Sequence, residues 1–200
     1  KLPISQMIYE VVAGRKGNYM VYFPSYQYMR ETYEVFCEQY PQVQTVQQTA
    51  HMSEEEREEF LARFDADNAE SLVGFCVMGG IFSEGIDLKG ERLIGTVVVG
   101  VGLPQISREL DVIRTYFDQN NGMGFEYAYQ FPGMNKVLQA AGRVIRGESD
   151  RGVVLLIDDR FTAPRYRALF PAHWSHYRRV SSSNELKRLV CAFWRDAAQE

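Results

Sequence analysis

The sequence predicts an α/β fold in which a parallel β-sheet is covered by helices on both faces. Three runs, NYMVYF (18–23), SLVGFCVMGG (71–80) and LIGTVVVGVGLP (93–104), are almost continuously apolar. Such runs are typical of strands buried on both faces, because a strand with one face in water alternates apolar and polar residues. Segments with helical periodicity separate the runs, which is the pattern of parallel strands joined by crossover helices.

The elements of the first half follow from the same patterns. An amphipathic helix over about 4–13 precedes the strand at 18–23, and a second helix then continues to Pro41. The segment QVQTVQQT predicts a short strand, and the helix after it begins with a capping box of Ser53 and Glu56. The strand at 71–80, a segment rich in glycine and the strand at 93–104 complete this half.

The second half predicts a helix over 107–119, a turn at NNGMGF, and a helix that runs through QAAGRVIR (139–146). The strand GVVLLI and a C-terminal helix over 184–198 follow. Ligands of such sheets bind in the loops that follow the carboxyl ends of the strands, so functional residues are expected there. We expect one domain over residues 1–200. Because the chain opens at Lys1 without a methionine, we also expect a fragment of a longer protein.

Composition argues against several classes of protein. No apolar run approaches the roughly 20 residues of a membrane span, and no leader is recognisable, so we expect a soluble, intracellular protein. The cysteines are odd in number and far apart, which favours reduced thiols over a disulfide framework, a zinc site or an iron–sulfur cluster. His173 and His176 have no ligand partner nearby in sequence, and no metal site is predicted.

The net charge is −4, but the charges are distributed unevenly along the chain. Acids dominate from 53 to 91, whereas arginines outnumber acids from 143 to 179. Because local charge decides such contacts, the basic half favours a polyanionic partner.

Two nucleotide-binding patterns are weak or missing. The chain contains no GxxxxGK[ST] sequence and therefore no P-loop. Gly100 and Gly102 offer part of a dinucleotide fingerprint, but Gln105 stands where its third glycine should be. The strand VVLLIDD resembles one that ends in Mg²⁺-binding acids, yet without a P-loop its acids stay unassigned, namely Asp158 and Asp159.

The segment SEGIDLKG (83–90) is a candidate ligand loop. It places a carboxylate, a glycine and an aspartate directly after a buried strand, where backbone N–H groups can approach a ligand closely. A plain turn built from Gly85, Asp87 and Gly90 explains the same residues.

The segment QAAGRVIRG (139–147) is the sharpest signal. On a helix, Gln139, Arg143 and Arg146 form one polar stripe. Arginine forks onto phosphate oxygens, so two of them can stabilise charge on a transferring phosphoryl group. Gly142 inside a helix costs about 1 kcal/mol relative to alanine, which indicates close packing or a close approach. The alternative is a solvated helix face that ends at a capping Gly147.

These segments together resemble one family. The QxxGRxxR pattern of Gln139, Gly142, Arg143 and Arg146 resembles motif VI of superfamily 2 helicases, and SEGIDL resembles motif V of their XPD/DinG branch. The continuation GESDRGVVLLIDDRF is also similar to that branch, which has a glycine-led strand and then an aspartate-x-arginine-phenylalanine turn. The resemblance covers roughly residues 18–174.

The resemblance implies the second, RecA-like motor domain of an ATP-dependent DNA helicase, a domain of the P-loop NTPase type without a P-loop of its own. It implies that Arg143 and Arg146 act as arginine fingers on the γ-phosphate of ATP and that Gln139 couples ATP to DNA. The nucleotide site would also include Glu84, Gly85, Asp87 and Gly142. The DNA contacts would include Ser25, at the motif IV position, with Tyr26 and Ser83.

The resemblance also implies partners and cofactors. Single-stranded DNA and the N-terminal motor domain of the same protein are the expected partners, and ATP with Mg²⁺ would bind only together with that domain. The fragment alone is therefore expected to be inactive, and the iron–sulfur cluster of many relatives would lie outside it. We expect a cytoplasmic, nucleoid-associated protein of bacterial type. Two alternatives stay open: a non-catalytic nucleic-acid-binding module with a helicase-derived fold, and a Rossmann-like oxidoreductase suggested by Gly100 and Gly102.

Overall fold

A computed structural model describes residues 2–199 and contains a five-stranded, fully parallel sheet in the order β2-β3-β1-β4-β5. The strands are β1 (Asn18–Phe23), β2 (Gln44–Gln47), β3 (Leu72–Val77), β4 (Gly95–Val99) and β5 (Val153–Ile157). The helices are α1 (Leu2–Ala13), α2 (Tyr26–Gln39), α3 (Glu54–Ala62), α4 (Arg108–Asn121), α5 (Phe131–Ala141), α6 (Pro164–Arg167) and α7 (Ser183–Ala197). The predicted α/β fold with a parallel sheet is confirmed.

Both faces of the sheet are buried. Successive side chains of a strand point to opposite faces, and β1 illustrates the consequence. Met20 and Tyr22 join a core with α3, α5 and the segment after β3. Tyr19, Val21 and Phe23 join a second core with α1, α2 and α7. The near-continuous apolar strands are thus explained by helices on both sides.

A close backbone approach fixes the start of α5. A Cβ atom on Gly133 would lie 2.6 Å from the carbonyl oxygen of Val101, and one on Gly102 would lie 2.6 Å from the carbonyl oxygen of Gly133. Gly102 also has a φ of +66°, which side-chain-bearing residues rarely adopt. The glycine after β4 therefore seats α5 against the sheet.

Several element boundaries agree with the sequence. The capping box is present, because the Ser53 hydroxyl accepts from the Glu56 backbone N–H (3.2 Å) and the Glu56 carboxylate accepts from that of Ser53 (2.7 Å). Helix α4 ends at Gly122, whose φ of +71° is the left-handed conformation expected of a C-terminal glycine. One π-helical turn, Glu126–Gln130, leads into α5. Helix α7 packs on α1, so the predicted C-terminal helix belongs to this domain.

The predicted helix through Arg146 is wrong beyond Ala141. Helix α5 ends there, and Gly142 caps it with right-handed φ and ψ of −69° and −2°. The Asp150 carboxylate accepts hydrogen bonds from the backbone N–H groups of Arg146 (2.9 Å) and Gly147 (2.8 Å), which therefore need no helical partner. The weak helix propensity of glycine and this competing acceptor together end the helix. The alternative of a helix capped by Gly147 is excluded for the same reason.

Candidate nucleotide and nucleic-acid site

The segment from 78 to 94 joins β3 to β4 with a single 3₁₀ turn as its regular structure. Gly79 and Gly85 both have a φ of +68°, which lets the chain turn sharply. The backbone N–H and the hydroxyl of Ser83 both donate to the carbonyl oxygen of Gly80, at 3.0 and 2.9 Å. The Ser83 side chain is consequently buried and turned inward. We call the residues from Ser83 to Asp87 the 83–87 loop.

Two arginines that follow α5 bind this loop. The Nε and Nη2 groups of Arg143 donate to the carbonyl oxygen of Ser83 at 2.9 and 2.6 Å, and its Nη1 reaches that of Ile86 at 3.5 Å. Arg146 donates through Nη1 to the Asp87 carboxylate at 2.7 Å and through Nη2 to the carbonyl oxygen of Ile86. The two sequence segments that predicted a nucleotide site therefore lie in direct contact.

The two arginines differ in what neutralises them. Arg146 pairs with Asp87, whose side chain is 59% exposed and also lies 3.4 Å from the Lys89 ammonium. Such an exposed pair contributes only about 0.2–1 kcal/mol, so another anion can replace the carboxylate. Arg143 contacts backbone carbonyls, and within residues 2–199 no carboxylate pairs with it. The charge of the half-buried Arg143 guanidinium is therefore not balanced by a carboxylate of the described residues.

The central strand anchors the same segment. Tyr22 on β1 is fully buried, and its hydroxyl donates to the carbonyl oxygen of Phe82 at 2.7 Å. Burial raises the pKa of Tyr22 well above its usual range, so the hydroxyl stays protonated and acts as a donor. This contact could not be predicted from the sequence, because Tyr22 is one of several aromatic residues in an apolar strand.

Ser25 and Tyr26, which the resemblance implied as DNA contacts, follow the end of β1. Ser25 is exposed, and its hydroxyl accepts from the Tyr28 backbone N–H (3.2 Å) at the start of α2. Tyr26 is half-buried, and its hydroxyl accepts from Nε2 of Gln48 at 3.0 Å. Gln48 is 2% exposed, and its Oε1 accepts from the Val77 backbone N–H at 3.0 Å. Gln48 was absent from the predicted site, although a polar residue directly after a strand could have marked it.

The predicted site residues thus fall into two groups. Ser25 and Ser83 follow the ends of β1 and β3, as expected of a parallel sheet. The arginine pair instead lies in the connection that leads into β5 and reaches the sheet through the 83–87 loop. Tyr22 links the groups, because it belongs to β1 and holds the residue before Ser83.

The remaining predicted residues are exposed. Glu84 and Gly85 lie on the outer side of the 83–87 loop, and Gln139 and Gly142 lie at the end of α5. The Gln139 side chain forms no hydrogen bond with any residue that the structure describes. A Cβ atom on Gly142 would meet carbonyl oxygens of its own helix, that of Leu138 at 3.1 Å among them. Packing against another element of this chain is therefore not the reason for a glycine at 142.

The acids after β5 are engaged within the chain. Arg160 donates to the Asp158 carboxylate through its backbone N–H (2.9 Å), its Nε (2.8 Å) and its Nη2 (2.8 Å). Burial raises the pKa of Asp158, but the hydrogen bonds from Arg160 outweigh burial and hold that pKa below its usual range. No group of three His, Cys, Asp or Glu side chains within residues 2–199 could hold a metal ion. Over the same residues, no helix is long and apolar enough to cross a membrane.

Comparison with known proteins identifies the family of this chain. Residues 8–177 match the family model described as the helicase C-terminal domain. The chain is 27% identical to a probable ATP-dependent helicase of Methanocaldococcus jannaschii, over 76% of this chain and 25% of that protein. It is 26% identical to the general transcription and DNA repair factor IIH helicase subunit XPD/RAD3 of Saccharomyces cerevisiae, over 80% of this chain and 21% of that protein. The chain thus spans a quarter or less of these relatives.

Solved structures identify the fold. An apo structure of XPD superposes with a TM-score of 0.63 and 22% identity, over 82% of this chain and 33% of that one. A second XPD helicase structure gives a TM-score of 0.62 over 83% of this chain and 29% of that one. The predicted RecA-like fold is confirmed.

Proposed function

Because the chain belongs to the helicase C-terminal domain family, we propose that it is the second motor domain of an XPD-like, ATP-dependent DNA helicase. It would form one wall of an ATP site. The other wall, with the P-loop and the Mg²⁺-binding acids, would belong to an N-terminal motor domain of the same protein. The lack of a P-loop sequence and the greater length of the relatives support this division. Residues 1–200 would then act as one domain that includes α7.

The observation that carries the proposal is the convergence of Arg143 and Arg146 on the 83–87 loop. Phosphoryl transfer needs positive charge opposite the γ-phosphate, and a guanidinium group matches phosphate oxygens in shape and in charge. Arg143 supplies a charge with no carboxylate partner. Arg146 supplies one whose exposed pair with Asp87 can be exchanged for a phosphate.

The other exposed residues complete the proposed site. Gln139, exposed near the end of α5 and four residues before Arg143, has an amide that can reach a ligand. The Asp87 carboxylate, released from Arg146, and the outer edge of the loop at Glu84 and Gly85 would face the nucleotide. Gly142, at the exposed end of α5, would let the ligand approach the backbone.

Single-stranded DNA would cross the end of β1. Ser25 and Tyr26 offer hydroxyl groups there, so the contacts are to phosphate, insensitive to base sequence and weakened by salt. Ser83 would act through the backbone of its loop, because its side chain is buried and donates to Gly80.

The test is the ATPase rate of the longer protein, with and without single-stranded DNA. Arg143→Ala and Arg146→Ala should each lower the DNA-stimulated kcat by about 10³-fold or more, the usual effect of losing an arginine finger. Arg143→Lys should also have a lowered kcat, because lysine keeps the charge but cannot form the bidentate hydrogen bonds of a guanidinium group. Arg188→Ala is the matched control, since Arg188 is exposed on α7 at the opposite face of the sheet.

Two outcomes would contradict the proposal. Near-normal turnover in both alanine variants would remove the arginine-finger role. Wild-type protein that binds DNA without hydrolysing ATP would favour the non-catalytic binding module. The 200-residue chain by itself should hydrolyse no ATP, which the same assay checks.

A further inference from the structure

We infer that Gln48 is a positioning residue that leaves the Tyr26 hydroxyl proton free to donate to a phosphate oxygen of single-stranded DNA. The inference rests on the proposed function, because it concerns how the DNA edge of that motor domain is built.

Gln48 lies at the carboxyl edge of the sheet, directly after β2 and beside the end of β3. Its backbone N–H donates to the carbonyl oxygen of Phe75 at 2.8 Å, so the main chain is held in the sheet. Its side chain bridges two other elements, with Oε1 3.0 Å from the Val77 nitrogen and Nε2 3.0 Å from the Tyr26 hydroxyl. A 2% exposed amide with both ends engaged has little freedom to rotate.

The bonding partners fix which end of the amide faces Tyr26. A backbone N–H can only donate, so the atom that faces Val77 must be the acceptor Oε1. The group that faces Tyr26 is then the NH₂ group, which can only donate. The Tyr26 oxygen therefore accepts, and its own proton must point to another acceptor. The neighbouring backbone also confines the amide, since a Cβ atom on Gly80 would lie 3.2 Å from Nε2.

The hydroxyl of the adjacent residue, Ser25, also acts as an acceptor within the chain. The Ser25 hydroxyl accepts from the Tyr28 backbone N–H at 3.2 Å, which likewise leaves its proton available. No acceptor within residues 2–199 takes a proton from either hydroxyl. Two neighbouring donors that lack an acceptor suit a ligand with many acceptors and no donors. A DNA phosphate is such a ligand.

The test measures the Kd of the longer protein for a fluorescein-labelled oligo(dT) by anisotropy, without nucleotide and at fixed salt. Losing one hydroxyl–phosphate hydrogen bond should raise the Kd about three- to tenfold, so Tyr26→Phe and Gln48→Met should each show that loss. The double variant should bind no more weakly than the weaker single variant, because Tyr26→Phe removes the donor that Gln48→Met leaves unpositioned. In the ATPase assay, Gln48→Met should raise the KM for DNA while kcat at saturating DNA stays unchanged. Gln44→Met, at the exposed start of β2, is the control and should match wild type.

Several results would overturn the inference. If Gln48 had only a structural role, Gln48→Met would have a lower melting temperature and an unchanged Kd. An additive double variant would mean that the two residues act separately. If Gln48→Met does not fold, the affinities of Tyr26→Phe and Tyr26→Ala test the inference instead. Wild-type affinity in the phenylalanine variant means that the hydroxyl carries no contact, whether or not the alanine variant binds weakly. Wild-type protein without any affinity for oligo(dT) would instead contradict the proposed function itself.

Discussion

Arg143 and Arg146 should differ in their contribution to folding, although loss of either should abolish ATP hydrolysis. The half-buried guanidinium of Arg143 donates twice to the Ser83 carbonyl oxygen and once to that of Ile86. Hydrogen bonds from a charged donor contribute about 1.5–3 kcal/mol, and Arg143→Ala leaves the Ser83 carbonyl without those donors. Arg143→Ala should therefore lower the free energy of unfolding by about 2–3 kcal/mol.

Arg146→Ala should lower it by about 1 kcal/mol. Its ion pair is with Asp87, which is 59% exposed, and such pairs contribute about 0.2–1 kcal/mol. The hydrogen bond to Ile86 adds a similar amount, and Arg143 still reaches that carbonyl in the variant. Urea unfolding of the 200-residue chain measures the difference, and thermal melting should show a drop of about 4–12 °C for Arg143→Ala against about 2–4 °C for Arg146→Ala.

The ranking of the two variants is the decisive result. Equal losses, or a larger loss for Arg146→Ala, would mean that the contacts of Arg143 with the 83–87 loop do not hold the loop in solution. Asp87→Asn gives an internal check, because it should remove no more stability than Arg146→Ala does. A catalytic defect in Arg146→Ala with a nearly unchanged melting temperature would then be assigned to chemistry and not to folding.

Two further substitutions test the fold and the β5 turn. Gly133→Ala should destabilise the chain by about 1–3 kcal/mol, because the new Cβ would lie 2.6 Å from a backbone carbonyl oxygen. This loss should outweigh the better helix propensity of alanine. Thermal melting measures it, with Asn135→Ala, exposed on the same helix, as the control. The lowered pKa of Asp158 stabilises the fold above the unfolded-state pKa of about 3.9 and stops doing so as the pH falls through the folded pKa. Urea unfolding at several pH values should therefore find Arg160→Ala less stable than wild type above about pH 4, and a pH-independent difference would contradict this.

The sheet could be predicted because its signal is local in the sequence. The strand at 18–23 is apolar at every position except Asn18, and that pattern requires cover on both faces. The joint resemblance to two motifs assigned Asp87 and Arg146 to one site, but their direct hydrogen bond was not predicted. The end of α5 could not be predicted in the same way. Helical periodicity continues through Arg146, and only the folded chain brings Asp150 back to its backbone N–H group.

The contacts of Tyr22 and Gln48 were beyond sequence reasoning for a different reason. Each depends on which strands are neighbours and on their register. Gln48 can reach Val77 only because β2 lies beside β3. Tyr22 can reach Phe82 only because β1 lies next to the strand that precedes the loop. The sequence shows that such residues are polar, but it does not show which strands pair and therefore which partners these residues can reach.

The strengths of these contacts suggest which part of the 83–87 loop can respond to a nucleotide. Its first residue, Ser83, accepts from two groups of Arg143, and Phe82 directly before it is held by the buried hydrogen bond from Tyr22. Its other end is held by the exposed pair of Arg146 and Asp87, which is the weakest attachment. A phosphate that displaces Asp87 would therefore move the Asp87 end while the Phe82 end stays fixed to β1. We accordingly expect ATP binding to reposition the outer edge of the loop at Glu84 and Gly85 relative to Ser25, without disturbing β1, which precedes the proposed DNA contacts.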